Sequence, residues 1–258
     1  NMEGLRVIGS PELIAEKYYE GGIDELFYID VVASLYQRNG LIELLKKTAE
    51  KLFIPLCVGG GLRTIDDVYK LLRAGADKVS INTAAINNPN FVQELAKNFG
   101  SSTIVGAVEI LKYEGNYLVF TDNGREYTGL NAIDWINTLQ NCGVGEMVIS
   151  SIDKDGTGLG VDYELFEEIA DLIKVPLIIH GGIGNINQLK EAFNLPKVDA
   201  VCVGSILHYH EEILGMSNTN KLEGNTHFIK SKVKNNLIRP ELVENIKREM
   251  NILGYGMR

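Results

Sequence analysis

The stretch Ile54-Pro-Leu-Cys-Val-Gly-Gly-Gly-Leu-Arg63 decides the fold, because a second copy of it follows about 121 positions later. The second copy reads Val175-Pro-Leu-Ile-Ile-His-Gly-Gly-Ile-Gly184. Each copy is an apolar run that ends in a glycine pair. A helical pattern and a second apolar run follow each copy. The second runs are Ala76-Asp-Lys-Val-Ser-Ile-Asn-Thr83 and Val198-Asp-Ala-Val-Cys-Val-Gly-Ser205. Two copies of one strand–helix–strand unit predict a pseudo-symmetric pocket for a ligand with two similar ends.

Short apolar runs alternate with amphipathic helical patterns along the chain. Nearly continuous apolar runs are typical of parallel strands that are covered on both faces. The predicted strands are Leu26–Val32, Ile54–Val58, Lys78–Ile81, Thr103–Ile110, Glu146–Ser151, Pro176–Ile179 and Ala200–Val203. The predicted helices are Pro11–Glu20, Leu41–Leu52, Ile65–Ala74, Pro89–Asn98, Ala132–Asn141, Tyr163–Ile173 and Ile186–Phe193. This alternation predicts one (β/α)8 TIM barrel over residues 1–258, with half-barrels at about 1–100 and 101–258.

Two segments interrupt the alternation. Tyr113–Tyr127 carries turn residues on both sides of an apolar run and predicts a small inserted β-hairpin. His208–Arg239 is polar and rich in turn residues, and a last helix is predicted from Pro240 to about Ile252, so residues from about 209 to 258 form a C-terminal extension. The repeat also calls for an eighth strand at a position before Asn1. We therefore expect that the first strand of the barrel is missing from the chain as given.

The composition is ordinary for a soluble globular protein, with 45% hydrophobic and 23% charged residues. The formal net charge of −9 argues against a nucleic-acid-binding surface. No apolar run approaches the roughly 18 residues that a membrane span needs, and no secretory signal pattern opens the chain. Cys57, Cys142 and Cys202 lack the spacing of metal ligands and are interpreted as structural residues in a reducing compartment. A cytoplasmic location is predicted.

Small residues follow the strands in both copies of the repeat. Glycines allow a phosphate to approach bare backbone N–H groups, and a following helix adds a favourable dipole. One glycine pair is equally well explained as a tight turn, but two pairs in register predict two phosphate sites. Each glycine pair is accompanied by small residues after the next predicted strand. Gly60-Gly61 goes with Asn82-Thr83, and Gly181-Gly182 goes with Gly204-Ser205.

Four carboxylates are expected at the carboxyl ends of the strands: Asp30, Glu109, Asp153 and Asp155. A carboxylate that faces a pocket can act as a general acid or base. In the same position a carboxylate can instead cap a helix or order a loop. We interpret Glu109 and Asp155 as functional and leave both interpretations open for Asp30 and Asp153.

Charged residues begin three of the predicted strands, at the opposite mouth of the barrel. Glu25 and Glu146 are separated by the same interval as the repeat, and Asp77-Lys78 begins a third strand. Charges at strand starts are most often solvated rim residues. The alternative is a ring of charges that lines an entrance.

Several stretches together are similar to one known family. They are Gly22-Ile-Asp-Glu-Leu-Phe-Tyr-Ile-Asp30, Val58-Gly-Gly-Gly61, Gly75-Ala-Asp-Lys-Val-Ser-Ile-Asn-Thr-Ala-Ala85, Gly145-Glu146, Ser151-Ile-Asp-Lys-Asp-Gly-Thr157 and Gly181-Gly182. The chain resembles, from Asn1 to Tyr209, the cyclase subunit of imidazole glycerol phosphate synthase, a histidine-biosynthesis barrel with an internal half-barrel repeat.

The resemblance implies a reaction and a partner. A glutaminase subunit would dock at the amino-terminal face of the barrel in a heterodimer and release ammonia into it. Ammonia would pass along the barrel axis to an aminoimidazole-carboxamide ribonucleotide with two phosphates. The products would be imidazole glycerol phosphate and an aminoimidazole ribonucleotide. The family needs no metal or redox cofactor, so none is expected.

The resemblance also implies residue roles. One phosphate would be held by Gly61, Asn82 and Thr83, and the other by Gly156, Gly182, Gly204 and Ser205. The ammonia entrance would be gated by Glu25, Lys78 and Glu146, and Asp77 would contact the partner. Glu109 would be an acid/base, and Asp155 would help to order the substrate.

Two departures from the family pattern leave an alternative open. The family uses two aspartates as acid and base; the first would precede Asn1, and Glu109 occupies the place of the second. One extra methylene can move a reacting proton by about an ångström, which can cost on the order of a hundredfold in rate. Such departures resemble a paralogous branch that channels ammonia for amidation of bacterial surface-polysaccharide sugars. A phosphosugar isomerase without a glutaminase is a third alternative, which the entrance charges disfavour.

Overall fold

A curled sheet of parallel strands, consistent with a (β/α)8 TIM barrel, forms the centre of the protein. The computed structural model describes residues 8–30, 40–210, 213 and 237–256. Within them, seven strands pair in parallel in chain order. These strands are β1 (Leu26–Ile29), β2 (Leu56–Gly59), β3 (Lys78–Ile81), β4 (Ile104–Tyr113), β7 (Glu146–Ser151), β8 (Leu177–His180) and β9 (Val198–Cys202).

Helices separate the strands and cover the outside of the sheet. They are α1 (Pro11–Glu20), α2 (Gly40–Ala49), α3 (Ile65–Arg73), α4 (Thr83–Asn87), α5 (Pro89–Phe99), α6 (Ala132–Cys142), α7 (Tyr163–Ile169), α8 (Ile186–Phe193), α9 (Ser205–His208) and α10 (Val243–Ile252). The main apolar core lies between these helices and the strands. Within the described part of the chain, every helix is too short or too polar to span a membrane.

The predicted strands and helices are confirmed, with shifted ends. The predicted strand Leu26–Val32 ends at Ile29, and its last two residues lie outside the described residues. The predicted helix Tyr163–Ile173 leaves α geometry after Ile169 and continues as a 3-10 turn, Ala170–Leu172. The short helices α4 and α9 were not predicted, because four or five residues carry too little periodicity to be recognised. Most of the predicted surface segment His208–Arg239 lies outside the described residues.

The inserted hairpin is larger than predicted. Strand β4 does not stop at Ile110 but continues to Tyr113, and its second half pairs antiparallel with β5 (Asn116–Thr121). Strand β5 then pairs antiparallel with β6 (Glu126–Asn131). The prediction of Thr103–Ile110 as a separate strand was therefore wrong at its carboxyl end, because β5 supplies β4 with new hydrogen-bond partners where the parallel ladder with β7 ends.

The two copies of the sequence repeat have the same local structure. The Asp77 carboxylate accepts a hydrogen bond of 2.8 Å from the Leu56 N–H, and Asp199 accepts one of 2.8 Å from the Leu177 N–H. Each aspartate thus ties the start of the second strand of its unit to the start of the first. The repeat predicted from the sequence is a repeat of backbone geometry.

The backbone of the glycine turns repeats as well. Gly60 has a φ of 103° and Gly181 a φ of 105°. Asn82 and Gly204 occupy the same unusual region, with φ and ψ of −123° and −90° for Asn82 and of −127° and −75° for Gly204. Both half-sites are therefore shaped by the same turns at the carboxyl ends of the strands.

Inward-facing side chains form successive layers along the barrel axis. A small apolar cluster spans neighbouring layers below the pocket; it is formed by Cys57, Val105, Val148 and Ile178, with Phe27, Ala107, Ala200 and Cys202 packed against it. Because side chains alternate along a strand, residues two positions further on face the axis one layer higher. On β4, β7 and β8 those residues are Glu109, Ser150 and His180.

Candidate active site at the carboxyl ends of the strands

A pocket of about 1020 Å³ opens at the carboxyl ends of the strands. It collects residues from both halves of the repeat. Its polar and charged lining includes Asp30, Gly61, Arg63, Asn82, Thr83, Glu109, Asp122, Arg125, Ser150, Asp155, His180, Gly204 and His208. The position of the pocket agrees with the general placement of active sites in barrels of this type.

Glu109 is held in the pocket by hydrogen bonds to both carboxylate oxygens. Oε1 accepts one of 2.9 Å from Asn82 Nδ2, and Oε2 accepts one of 2.7 Å from the Gly124 N–H. Burial raises the pKa of the Glu109 carboxyl, and the donors from Gly124 and Asn82 only partly oppose this effect. A fixed carboxyl group with a raised pKa keeps its proton to a higher pH than an ordinary glutamate does and is suited to act as a general acid.

The tip of the hairpin between β5 and β6 delivers the second of these hydrogen bonds. Asp122, Asn123 and Gly124 follow one another with φ of 53°, 60° and 76°, all in the left-handed region. Asparagine, aspartate and glycine are the residues that tolerate this conformation. The Asp-Asn-Gly sequence therefore turns the chain so that the N–H of Gly124 meets Glu109.

The first predicted phosphate site is placed at the pocket. Gly61, Asn82 and Thr83 all line it. Asn82 also contacts Glu109 through Nδ2, and its Oδ1 is buried without a hydrogen-bond partner among the described residues. The sequence reasoning missed this bridge between the phosphate site and the acid, because the two residues come from different strands.

The second predicted phosphate site is only partly at the pocket wall. Gly204 lines the pocket, whereas Gly156, Gly182 and Ser205 are not among its described lining residues. Gly182 has a φ of 95°, and its carbonyl accepts a hydrogen bond of 2.9 Å from the Gly160 N–H. Ser205 begins α9 directly after Gly204.

The remaining predicted acids differ in what they contact. Asp155 lines the pocket, and its Oδ1 lies 3.9 Å from Nε2 of His180. Asp30 also lines the pocket, at the end of β1. Asp153 accepts a hydrogen bond of 3.1 Å from the Lys112 N–H and so ties the loop after β7 to β4. The loop-ordering interpretation is the one that this contact favours for Asp153.

The predicted entrance charges meet at the opposite mouth. Lys78 Nζ lies 2.9 Å from Glu25 Oε2 and 2.7 Å from Glu146 Oε1, and all three side chains are largely buried. Burial alone would lower the pKa of Lys78, but its hydrogen bonds to Glu146 and Glu25 raise the pKa. Burial raises the pKa of Glu25, whose Oε1 lacks a described partner. The cluster places one cation, paired with two carboxylates, at the starts of the strands.

Asp77 lies beside this cluster but has a structural contact of its own. Its carboxylate accepts the hydrogen bond from the Leu56 N–H described above. The resemblance implied a contact with the partner for Asp77, and the structure shows that its carboxylate also holds the start of β2. Among residues 8–30, 40–210, 213 and 237–256, no three His, Cys, Asp or Glu side chains are grouped to hold a metal ion.

The fold and the pocket together define a barrel enzyme whose site is shared by two repeated halves. Residues 1–212 match the family model described as "Histidine biosynthesis protein". The chain is 47% identical over 189 residues to the imidazole glycerol phosphate synthase subunit HisF of Legionella pneumophila, covering 73% of this chain and 89% of that protein. It is 44% identical over 216 residues to the HisF subunit of Bacillus cereus (strain AH187), covering 83% and 86%. The chain belongs to the histidine biosynthesis protein family.

Proposed function

We propose that the protein is the cyclase subunit of imidazole glycerol phosphate synthase and works in the cytoplasm. It uses ammonia to convert an aminoimidazole-carboxamide ribonucleotide with two phosphates into imidazole glycerol phosphate and an aminoimidazole ribonucleotide. The observation that carries this proposal is the position of Glu109 in one pocket that both halves of the repeat line, with Gly60 and Gly61 from the first half and His180 and Gly204 from the second. A ligand with a phosphate at each end fits that arrangement.

The two half-sites hold the two phosphates. Gly61, Asn82 and Thr83 hold one, and the other is held by Gly156, Gly182, Gly204 and Ser205. The matched backbone of the two turns supports this proposal. Two turns with the same dihedral angles present their backbone N–H groups in the same way, so both suit a phosphate. Bare glycine backbone permits a phosphate to approach closely.

Glu109 transfers protons during cyclisation, and Asp155 orders the substrate from the other side of the pocket. The raised pKa of Glu109 gives it a larger protonated fraction near neutral pH than an ordinary glutamate has. Its two hydrogen bonds fix the carboxyl group before the substrate arrives. Fixed geometry compensates for the flexibility of the longer side chain.

Ammonia enters at the mouth closed by Glu25, Lys78 and Glu146 and passes the apolar layer to the pocket. A glutaminase partner docked at that mouth supplies it. Opening requires that Lys78 leaves its two carboxylates. The apolar layer beyond it carries no charge that would retain ammonium, so neutral ammonia is the form that passes.

The assay of this function uses purified protein, ammonium salt and the two-phosphate ribonucleotide, with product formation followed by loss of substrate absorbance and by chromatography. We expect turnover without any partner, because the pocket and Glu109 belong to this chain alone. Growth of a cyclase-deficient histidine auxotroph on expression of the complete reading frame would separate this function from sugar amidation. Absence of turnover together with absence of growth contradicts the proposal.

The proposed contact of Asp77 with the glutaminase can be tested because the repeat supplies an equivalent residue, Asp199, as a control. Asp77→Ala should weaken binding of the glutaminase by about tenfold or more and lower the free energy of unfolding by about 1–2 kcal/mol, since the Leu56 N–H loses its acceptor. Asp199→Ala removes the equivalent hydrogen bond in the other half and is the matched control. Equal glutaminase affinities of the two variants, measured by calorimetry beside thermal unfolding, would restrict Asp77 to its structural role.

A further inference from the structure

One row of side chains crosses the floor of the pocket. In the strand registers, Glu109 pairs with Ser150, Ser150 with His180, and His180 with Cys202. All four line the pocket. Residues in register on neighbouring parallel strands face the same side, so the row is a continuous polar edge that starts at the proposed acid Glu109.

His180 is a second group of this row, beside Glu109, that can gain and lose a proton. Its Nδ1 lies 3.0 Å from Ser150 Oγ, within hydrogen-bond distance, and its Nε2 lies 3.9 Å from Asp155 Oδ1. The ring is 26% exposed and the Asp155 side chain 23% exposed. Burial raises the pKa of the Cys202 thiol to about 12, so this neighbour stays protonated and uncharged.

The surroundings of His180 favour a neutral imidazole that can still accept a proton. Burial lowers the pKa of His180, and the nearby Asp155 carboxylate opposes that effect. The contact with Ser150 fixes the ring while the carboxylate stabilises the imidazolium when it forms. A neutral ring beside a carboxylate is a competent general base.

The row lies where ammonia leaves the apolar part of the barrel. The layer directly below it contains Ala107, Val148, Ile178 and Ala200, each two residues before a member of the row. Ammonia that passes this layer therefore meets Glu109, Ser150 and His180 as the first polar groups on these strands. In the proposed cyclase reaction, ammonia would meet the substrate at this level of the barrel.

We propose that His180 is a second catalytic residue, which takes the proton that the ammonia nitrogen gives up when it adds to the substrate. This inference rests on the cyclase function proposed above. The nitrogen lone pair forms the new C–N bond, and the electron pair displaced from the carbonyl carbon moves to its oxygen. Glu109 protonates that oxygen, and Nε2 of His180 removes one proton from the positively charged nitrogen.

The charged and titratable groups around His180 come from several elements. Asp155 faces it from the loop after β7, Cys202 from β9, and Glu109 from β4 beyond Ser150. The other titratable groups of the described pocket lining are Asp30, Arg63, Asp122, Arg125 and His208. Asp155 lies 3.9 Å from the ring, and its carboxylate opposes the larger effect of burial on the pKa of His180.

The test compares wild type with His180→Gln, which keeps a hydrogen-bonding side chain but does not titrate. At a fixed concentration of free ammonia, we expect kcat to fall by about a hundredfold or more, with KM for the two-phosphate ribonucleotide changed less than about threefold. The wild-type pH profile should lose activity as the pH falls through the pKa of His180, and this acid limb should be absent in the variant. His210→Gln, at a histidine outside the described lining, should keep the wild-type rate.

Several outcomes separate the two proposals. Wild-type turnover with a His180→Gln rate within about threefold of it, or with an unchanged acid limb, overturns the role of His180 and leaves the cyclase function intact. Absence of turnover in the wild type overturns the cyclase function and the role of His180 with it. If His180→Gln fails to fold, His180→Asn is measured in the same way. If that variant also fails, a wild-type profile without an acid limb overturns the role.

Discussion

The Glu109→Gln variant is expected to lose cyclisation with externally supplied ammonia, with kcat lower by about a thousandfold or more. Glutamine keeps the size of the side chain and an oxygen for one of the two donors, but it cannot exchange a proton. The lower kcat would therefore come from the missing proton transfer and not from a changed shape of the pocket. Steady-state kinetics at saturating ammonia, with circular dichroism to confirm the fold, measures it.

Two further variants sharpen this experiment. Glu126→Gln changes an exposed glutamate on β6 of the same hairpin and should keep the wild-type rate. Glu109→Asp keeps the acid but shortens it, and we expect partial activity because the oxygens lie farther from Asn82 and Gly124. Full turnover by Glu109→Gln would remove Glu109 from the mechanism.

The raised pKa of Glu109 also predicts how stability and activity change with pH. Above the pKa of an ordinary glutamate, the unfolded chain is ionised while the buried carboxyl still holds part of its proton. The contribution of Glu109 to the free energy of unfolding is therefore fully favourable at low pH and is lost as the pH rises through the raised pKa. A protonated Glu109 is also the form that can act as an acid, so activity should fall in the same direction.

Gly182→Ala is expected to have the largest effect on stability, lowering the free energy of unfolding by about 3 kcal/mol or more. A Cβ at this position would lie 2.0 Å from the Gly160 carbonyl oxygen, and the φ of 95° disfavours any side chain. For a chain of this length, such a loss lowers Tm by on the order of 10 °C. Because the backbone must shift, KM for the two-phosphate ribonucleotide should rise as well.

Gly115→Ala is the matched control for this variant. Gly115 has a φ of 80° in the turn between β4 and β5, and a Cβ there would meet nothing within 4 Å. It therefore carries the conformational cost of about 1–2 kcal/mol without the collision. Similar melting temperatures for the two variants, by differential scanning calorimetry, would show that the backbone contact at Gly182 is not tight.

The repeat made most of the fold predictable from the sequence. Apolar runs such as Leu56–Gly59 and Leu177–His180 are short, continuous and bounded by glycine or proline, and helices such as α3 begin with a capping box at Thr64 and Asp67. These are local signals. Local signals are sufficient to predict a fold where the preference of each segment is consistent with the overall structure. The hydrogen bond from the Leu56 N–H to Asp77 could not be predicted, because a contact between the starts of two strands leaves no periodic pattern in the sequence.

The residues of the site could be predicted from the sequence, but the contacts between them could not. Glu109, Asn82 and Asp155 were recognised because they lie at or after the ends of predicted strands, and the structure brings all three to one pocket. The contact of Glu109 with Gly124 depends on how far β4 extends into the hairpin, and an apolar pattern does not show where a parallel ladder gives way to an antiparallel one. The sequence indicated only that His180 shapes the pocket beside the glycine pair, because its partner Ser150 is 30 residues away.

The position of the hairpin tip affects how strongly Glu109 holds a proton. The Gly124 N–H stabilises the ionised form of Glu109, so a ligand that draws the tip away removes this donor and increases the affinity of the carboxyl for a proton. By reciprocity, binding of such a ligand would consume protons, and its affinity would grow as the solution becomes more acidic. Calorimetric titration in buffers of different ionisation enthalpy measures that uptake directly.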